Sequence, residues 1–552
     1  PAPKVVKAPP VQIPAPQSVE NPDIFTYLKL RDPNKLLDRL GEWVSLFQPG
    51  MNGAALRSIL QMQGISLADF RAGDSAGIFL FDPSANLMKP PVAALCPIPY
   101  NSDTARTLAK TMGGDNITSI GGNTIIAHTP EGLARAIKSA DILSALTNAP
   151  MPVDLTLYLN SQALIGKYGA TMRTQVQALP ALLALVQPQG QMDMAQMTRI
   201  LGVELGALLD AIEQTKYLAI NVDLPAEALD LSLVLKAKPG TGLETGLKGG
   251  PVASPELTQY LDKTAFAKTG QSVRDLGGLI DLYMKYLTQM IGPGQEEGFN
   301  KLKADLELFK KIKEYHFAAS MAISPEGKLV YEGVLVSPDN AALVKLIQEK
   351  MLNWINQGPI HDFYKGMGMD MQAKENPAAR KVHGWPVHIY EIKLKLGEKI
   401  PAETRAGIEK MLGNMMTMEL SQVGPYIVFA MNKPVDALAD RIFSGQGNQP
   451  IEAVSHFPPG GVVYFDLNMP AMMNMMKVTM KPEEAAKMPT LPAGLPPITG
   501  FGYHGEGMAY YRATIPRGLV AGMTGKGGQA GMAPKVPGAV PNPPPDAAPK
   551  TQ

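Results

Sequence analysis

The chain has 552 residues, with 51 Lys and Arg against 50 Asp and Glu, a single cysteine and a charged share of 18%. Such a length admits roughly three to five domains; the even charge gives no support to a dedicated nucleic-acid surface, and Cys96 alone excludes an intrachain disulfide. The charged share lies below the usual quarter of a soluble protein, which points to large buried or partner-covered surfaces. No run of eighteen uncharged apolar residues occurs, so no transmembrane helix is expected.

Residues 1–20, which open PAPKVVKAPPVQIPAPQ, read as a proline-rich tether. A start at Pro1 also suits a mature secreted chain. A first α+β domain is expected over 21–150. In IFTYLKLRDPNKLLDRLGEWVSLF, 24–47, a strand passes into a helix at Asp32 and Pro33, with Leu36, Leu37 and Leu40 on one side. SAGIFLF and PVAALCPI read as further strands, the second placing Cys96 in an apolar setting, and SDTARTLAKTMGG as a helix with its glycine stop. Next comes GGNTIIAHTPEGLARAI, 121–137. A dinucleotide loop has its glycines after a strand and at the opening of a helix; here they precede the strand Thr124–Ala127, and the helix opens later at Thr129 and Pro130. The glycines therefore turn the chain into a strand.

A second α+β domain is expected over 151–252, from VDLTLYLNSQALIGKY at 153–168 to the alternating ALDLSLVLKAK at 228–238. Residues 253–450 read as a helix-rich α+β domain or a fused pair of repeats, with helices over 272–291, 297–315 and 338–355 and a strand pair around SPEG. Within it, GPYIVFAMNKPVDALADRI, 424–442, repeats the order of 121–137: glycine turn, strand, proline junction, helix. Residues 451–520 form a partial α+β unit ending in a hairpin over 499–516, and 521–552 a flexible Gly/Pro-rich tail. The fold class expected is α+β, built of antiparallel or mixed-sheet units with covering helices and divergent internal repeats.

Local motifs for chemistry are sparse. The seven histidines are dispersed; His383 and His388 lie five apart in HGWPVHIYEI, and His361 precedes Asp362, but neither arrangement supplies the converging ligands of a metal site or an oriented nucleophile and base. Asp32, Asp154 and Asp466 recur at strand ends, where caps and turns use them. MTGKGGQAG from Met523 lacks the Ser or Thr that must follow the lysine of a phosphate loop. No catalytic residue, metal or cofactor is assigned. Methionine occurs 31 times, concentrated in MGMDM, NMMTM and MPAMMNMMKVTM, and thioethers suit adaptable contacts. Met472, Met473, Met475, Met476, Tyr503, Tyr510 and Tyr511 are the candidate protein-contact residues.

The YLKL, LYLN and VVYFDLN openings, with IIAHTPEGLARAI and IVFAMNKPVDALADRI, resemble a broad class of uncharacterised secreted or periplasmic α+β repeat proteins of Gram-negative bacteria, including planctomycete- and verrucomicrobia-like organisms. The resemblance implies a periplasmic, cell-surface or extracellular location and transfers no catalytic residue. The expectation is a non-enzymatic envelope or extracellular scaffold that contacts another protein or itself. The alternative is a module for lipid or a small apolar ligand.

Overall fold

The computed structural model describes residues 13, 16, 18–19, 21–83, 89–186, 194–248, 253–274, 280–281, 284, 296–312, 314–366, 368–398, 400, 402–445, 447–480, 482–492 and 494–523. The proline-rich stretch 1–12, most of the helix expected over 272–291 and the tail 524–552 lie outside them.

The first half runs β1 (Ile24–Leu30), α1 (Pro33–Phe47), α2 (Gly53–Met62), β2 (Ala76–Phe81), β3 (Val92–Cys96), α3 (Asp103–Thr111), β4 (Ile117–Ile120), β5 (Asn123–Ala127), α4 (Pro130–Lys138), α5 (Ala140–Asn148), β6 (Leu155–Leu159), α6 (Ser161–Val186), α7 (Met194–Glu213), β7 (Thr215–Asp223), β8 (Ala228–Ala237) and α8 (Gly242–Leu247). The second half runs β9 (Ala267–Arg274), α9 (Glu296–Phe309), β10 (Glu314–Ile323), β11 (Leu329–Val336), α10 (Asn340–Asn356), α11 (Pro359–Gly366), β12 (Met369–Val382), β13 (Trp385–Leu396), α12 (Ala402–Leu412), β14 (Met415–Val423), β15 (Tyr426–Met431), α13 (Asp436–Ser444), α14 (Glu452–His456), β16 (Val463–Leu467), α15 (Met469–Thr479), α16 (Pro482–Ala485), β17 (Ile498–Gly505), β18 (Met508–Pro516) and α17 (Arg517–Met523). Two expected helices are corrected at their ends. Ser272–Arg274 belongs to β9, and Glu314 and Tyr315 open β10, because the ladder between these two strands claims their backbone groups.

The fold is α+β, and among the described residues all eighteen strands lie in one sheet. Every pairing is antiparallel, and the pairings give the spatial order β4-β5-β3-β2-β1-β6-β7-β8-β18-β17-β16-β9-β10-β11-β15-β14-β13-β12. This path crosses the sequence boundaries at 150, 252 and 450, since β1 pairs with β6, β8 with β18 and β9 with β16.

The two halves share one path. In each, an asparagine follows the strand at the turn into a helix: Asn160 Oδ1 accepts from Ala163 N at 3.2 Å and Asn468 Oδ1 from Ala471 N at 3.0 Å. Four residues before each asparagine, Thr156 faces Asn221, which faces Ser232, while Tyr464 faces Phe501, which faces Arg512. Ser232 and Arg512 then face each other where the halves meet. The register therefore has an approximate twofold at that pair. The β4–β5–α4 and β14–β15–α13 segments occupy equivalent places, with the long β12–β13 hairpin added beyond β14.

Alternation gives the sheet two faces. On one face, α4, α5 and α14 cover a core running from Phe79 and Tyr158 through Tyr217 and Val234 to Tyr510, Phe501 and Tyr464. That core crosses the midline and joins the halves. The other face carries helices at its two ends, α3 over Ala94, Cys96 and Ile126, and α10 with Phe309 of α9 over Leu335, Leu420 and Ile427.

Candidate functional site

Between those helices the described residues leave the second face open, and its strand rows carry no charged side chain. One cross-strand row passes from Ile78 to Leu28, Leu157, Ile220, Leu233 and Tyr511. It continues through Gly502, Val463, Gln271 and Phe317 to Leu335. From β2 to β10 the residues in register on this face include no Asp, Glu, Lys or Arg; β8, for example, contributes Leu229, Leu231, Leu233 and Leu235. Lys216 sits in the bulge that opens β7, outside these rows. At about 4.8 Å per strand the ten strands span about 43 Å.

Several of these side chains remain in solvent: Leu157 is 45% exposed, Ile220 and Tyr511 41%, Ile78 39% and Leu231 37%. Exposed apolar positions aligned in register form a continuous strip, unlike scattered surface leucines. Its flanks are built by α1, where Leu36 and Trp43 cover Leu30, Leu155, Val222 and Leu229, and by α8, where Leu243 and Leu247 pack near Leu235 and Ala509. The strip is therefore a groove across the strands. Its floor is shaped by glycine: a Cβ at Gly502 would meet Val463 and Tyr511 at 2.5 and 2.9 Å, so only glycine lets the Tyr511 ring lie there.

At the β10 end the row enters a cavity of about 290 Å³ under α9 and α10, lined by Gln271, Phe309, Ile312, Tyr315, Phe317, Leu335, Leu343 and Ile347. On the opposite face, at the twofold, lies a polar cavity of about 360 Å³ with Asn221, Asp223, Asp230, Ser232, Tyr510 and Arg512. Its groups largely bind one another. Arg512 Nη2 lies 2.7 Å from Asp230 Oδ2, Asn221 Nδ2 donates to Ser232 Oγ at 3.2 Å, and Thr156 Oγ1 donates to Asn221 Oδ1 at 2.7 Å. Arg39 spans Asp154 at 2.5 Å and Asp223 at 3.4 Å. Burial and the Asp154 charge push the Asp223 carboxyl up. At Asp154 burial acts in the same sense, but Arg39 and the Leu224 N–H outweigh it and hold that carboxyl down. Ser232 faces the Asn221 amide, which cannot take up a proton, so no base is paired with this serine.

Ser272, His316 and Glu314 come nearer to a catalytic set. Ser272 Oγ lies 2.5 Å from His316 Nδ1, whose Nε2 lies 3.2 Å from Glu314. No local motif announces it, because the contact is made by strand register between β9 and β10. The Ser272 N–H is taken by Val462 O at 2.9 Å, and the apolar cavity opens on the other face of these strands. The set thus has neither a free amide at the serine for an oxyanion nor that cavity for a substrate.

The sequence-derived contact residues are divided. Met473 is 7% exposed, in a core with Leu491 and Leu519; Met472 and Met475 are half-buried, and Met476 is 39% exposed. Tyr510, 5% exposed, faces the covered core against which half-buried Tyr503 packs, while Tyr511 faces the groove. His361 lies 3.8 Å from Asp370, not paired with neighbouring Asp362. His383 sits in a turn at φ 48° and contacts Asp440 at 2.6 Å, whereas His388 contacts Glu375 at 3.0 Å. Asp32 caps α1 and Asp466 accepts the N–H groups of Glu452 and Ala453. Burial raises the Cys96 thiol to about 12, which keeps it protonated and inert. Among the described residues no helix is long and apolar enough to cross a membrane, and no group of three His, Cys, Asp or Glu is placed to hold a metal.

Comparisons of the chain with family models, curated proteins and solved structures gave no match.

Proposed function

We propose that the protein is a non-enzymatic binding module whose groove takes the hydrocarbon part of a lipid. The carrying observation is the uncharged row from Ile78 to Phe317 with its exposed aliphatic members. A hydrocarbon chain asks nothing of this surface except exclusion of water, at about 25 cal/mol per Å² of apolar area covered. An extended peptide laid there would bring backbone N–H and C=O groups to a floor that offers almost no partners. A second copy presenting its own sheet would meet α3 at one end and α9 with α10 at the other. A slender chain fits between them.

The test is equilibrium dialysis of the full chain against hexadecanoic acid, with Val463→Asp and Tyr511→Asp, both in the row between β18 and β10, as variants. Each carboxylate should weaken binding at least about tenfold, because it stays hydrated against the chain. The Tyr511→Asp unfolding midpoint should hardly move, since that side chain is already 41% exposed. Absence of binding by the unaltered protein would sink the proposal. So would a stoichiometric lipid-free dimer that the same substitutions dissociate.

The scaffold reading keeps one supporting observation. At the β12–β13 turn the His383 ring stacks on Phe443 at 4.3 Å, and Phe443 and Trp385 are both exposed, the kind of aromatic surface that anchors protein partners.

A further inference from the structure

The groove runs into a cavity at one end and carries a hydrogen-bonded tyrosine–histidine pair farther along, and these two features define a ligand with two ends. The cavity under α9 and α10 begins where Phe317 and Leu335 continue the groove row. Its volume, about 290 Å³, sits at the bottom of the range for small-molecule pockets, so it holds a single chain segment and not the paired tails of a diacyl lipid. From Phe317 the row returns through Gln271, Val463 and Gly502 to Tyr511, four strand spacings or about 19 Å away. There Tyr511 Oη lies 2.7 Å from His504 Nε2, a hydrogen-bonding pair on the same face. Burial lowers the His504 pKa, so near neutral pH the imidazole is uncharged and offers hydrogen bonds without a full positive charge.

Resting on the lipid reading above, we propose that the ligand is a single-chain amphiphile of the fatty-acid class. Its methyl end enters the cavity beside Phe309 and Leu343, and its polar end lies at His504 and Tyr511. The cavity selects one chain and its length; the polar pair sets its direction.

A built-in reporter tests the direction. The Trp354 ring packs on Phe309 with centroids 5.4 Å apart, and Phe309 lines the cavity. In the full chain carrying Trp43→Phe and Trp385→Phe, Trp354 is the remaining tryptophan. Bromine at the chain end, in 16-bromohexadecanoic acid, should quench it more strongly than the mid-chain bromines of 9,10-dibromooctadecanoic acid at equal occupancy. Leu343→Trp, read by dialysis, should fill the cavity and weaken hexadecanoic acid about 10–100-fold while leaving octanoic acid, too short to span both ends, nearly unchanged. If hexadecanoic acid binds but the terminal bromine quenches no better than the mid-chain pair, or Leu343→Trp weakens both acids alike, the cavity assignment is overturned and the groove reading stands. If neither acid binds the unaltered chain, both fall together.

Discussion

One row of side chains, followed across equivalent strands of the two halves, shows how little the sheet dictates what lies on it. In the first half the covered face reads Tyr158, Tyr27, Phe79, Ala93 in register; in the second the same places hold Asp466, Lys268, Ser320, Glu332. The first row is held by ring contact, with Tyr27 and Tyr158 stacked at 4.8 Å and Tyr27 against Phe79 at 5.9 Å. The second is held by charge. Glu332, 1% exposed, lies 2.6 Å from Lys433, 2.8 Å from Arg441 and accepts the Asp262 N–H at 2.6 Å. Backbone ladders and the asparagine caps carry the topology, and either row suffices if every buried polar group finds a partner.

The largest effect comes from removing the charge from one half. Glu332→Ala gives the second half the residue that the first has at Ala93, yet leaves Lys433 and Arg441 facing an empty site. A loss of about 3–5 kcal/mol is expected, because it is the stranded cations that destabilise. Urea unfolding of the full chain measures it. Trp43 reports the first half and Trp354 the second; since the core with Tyr158 and Tyr464 spans the midline, both probes should shift together. A shift confined to Trp354 would show that the halves unfold separately.

The next effect belongs to the first half. Lys29 occupies the place of Gly270 and is buried, donating to Leu146 O at 3.0 Å and to Ala149 O, and burial lowers its pKa to about 8 from 10.5. Between those values the unfolded chain binds more protons than the native one, so stability rises with pH. The penalty for holding the ammonium is complete below pH 8 and is relieved as pH approaches 10.5. From pH 8 to 9.5 the gain should be about 1.5 kcal/mol in the unaltered protein relative to Lys29→Met. The upper limit keeps the measurement below the ionisation of tyrosines in the unfolded chain, which acts oppositely because burial raises Tyr27 and Tyr217. Parallel pH profiles for the two proteins would mean that Lys29 reaches water.

Local chemistry made the junctions legible. Asp32 with Pro33, Thr129 with Pro130 and the strand Thr124–Ala127 all follow from capping and turn rules acting within a few residues, and the structure has α1, β5 and α4 there. The groove was not legible, for a reason visible in ALDLSLVLKA. Alternation separates Leu229, Leu231, Leu233 and Leu235 from Asp230, Ser232 and Val234, but it does not say which set is covered. Here Val234 enters the core and Leu231 stays in solvent, the reverse of apolar-in and polar-out. That outcome is set by helices distant in sequence. Likewise Ser272 meets His316 only through register, and Met473 and Tyr510 are separated from Tyr511 by the side of the sheet they face.

The smallest effect compares the two glycine turns. Between β4 and β5, Gly121 and Gly122 both have positive φ, 57° and 78°; between β14 and β15, Gly424 has φ 60° and is followed by Pro425. Both loops have two residues, but the first needs a left-handed backbone twice and the second once, since the proline ring fixes φ near −65°. Gly121→Ala, Gly122→Ala and Gly424→Ala should each destabilise by about 1 kcal/mol, as a Cβ is disfavoured in that region, and space is not the cause because nothing lies within 4 Å of any of the three positions. Pro425→Ala should cost less, about 0.5 kcal/mol, acting by freeing the unfolded chain. Thermal unfolding of the four variants checks the order. If Gly122→Ala were as mild as Pro425→Ala, the two turns would share one conformation in solution, and the difference between the halves would lie in their side chains alone.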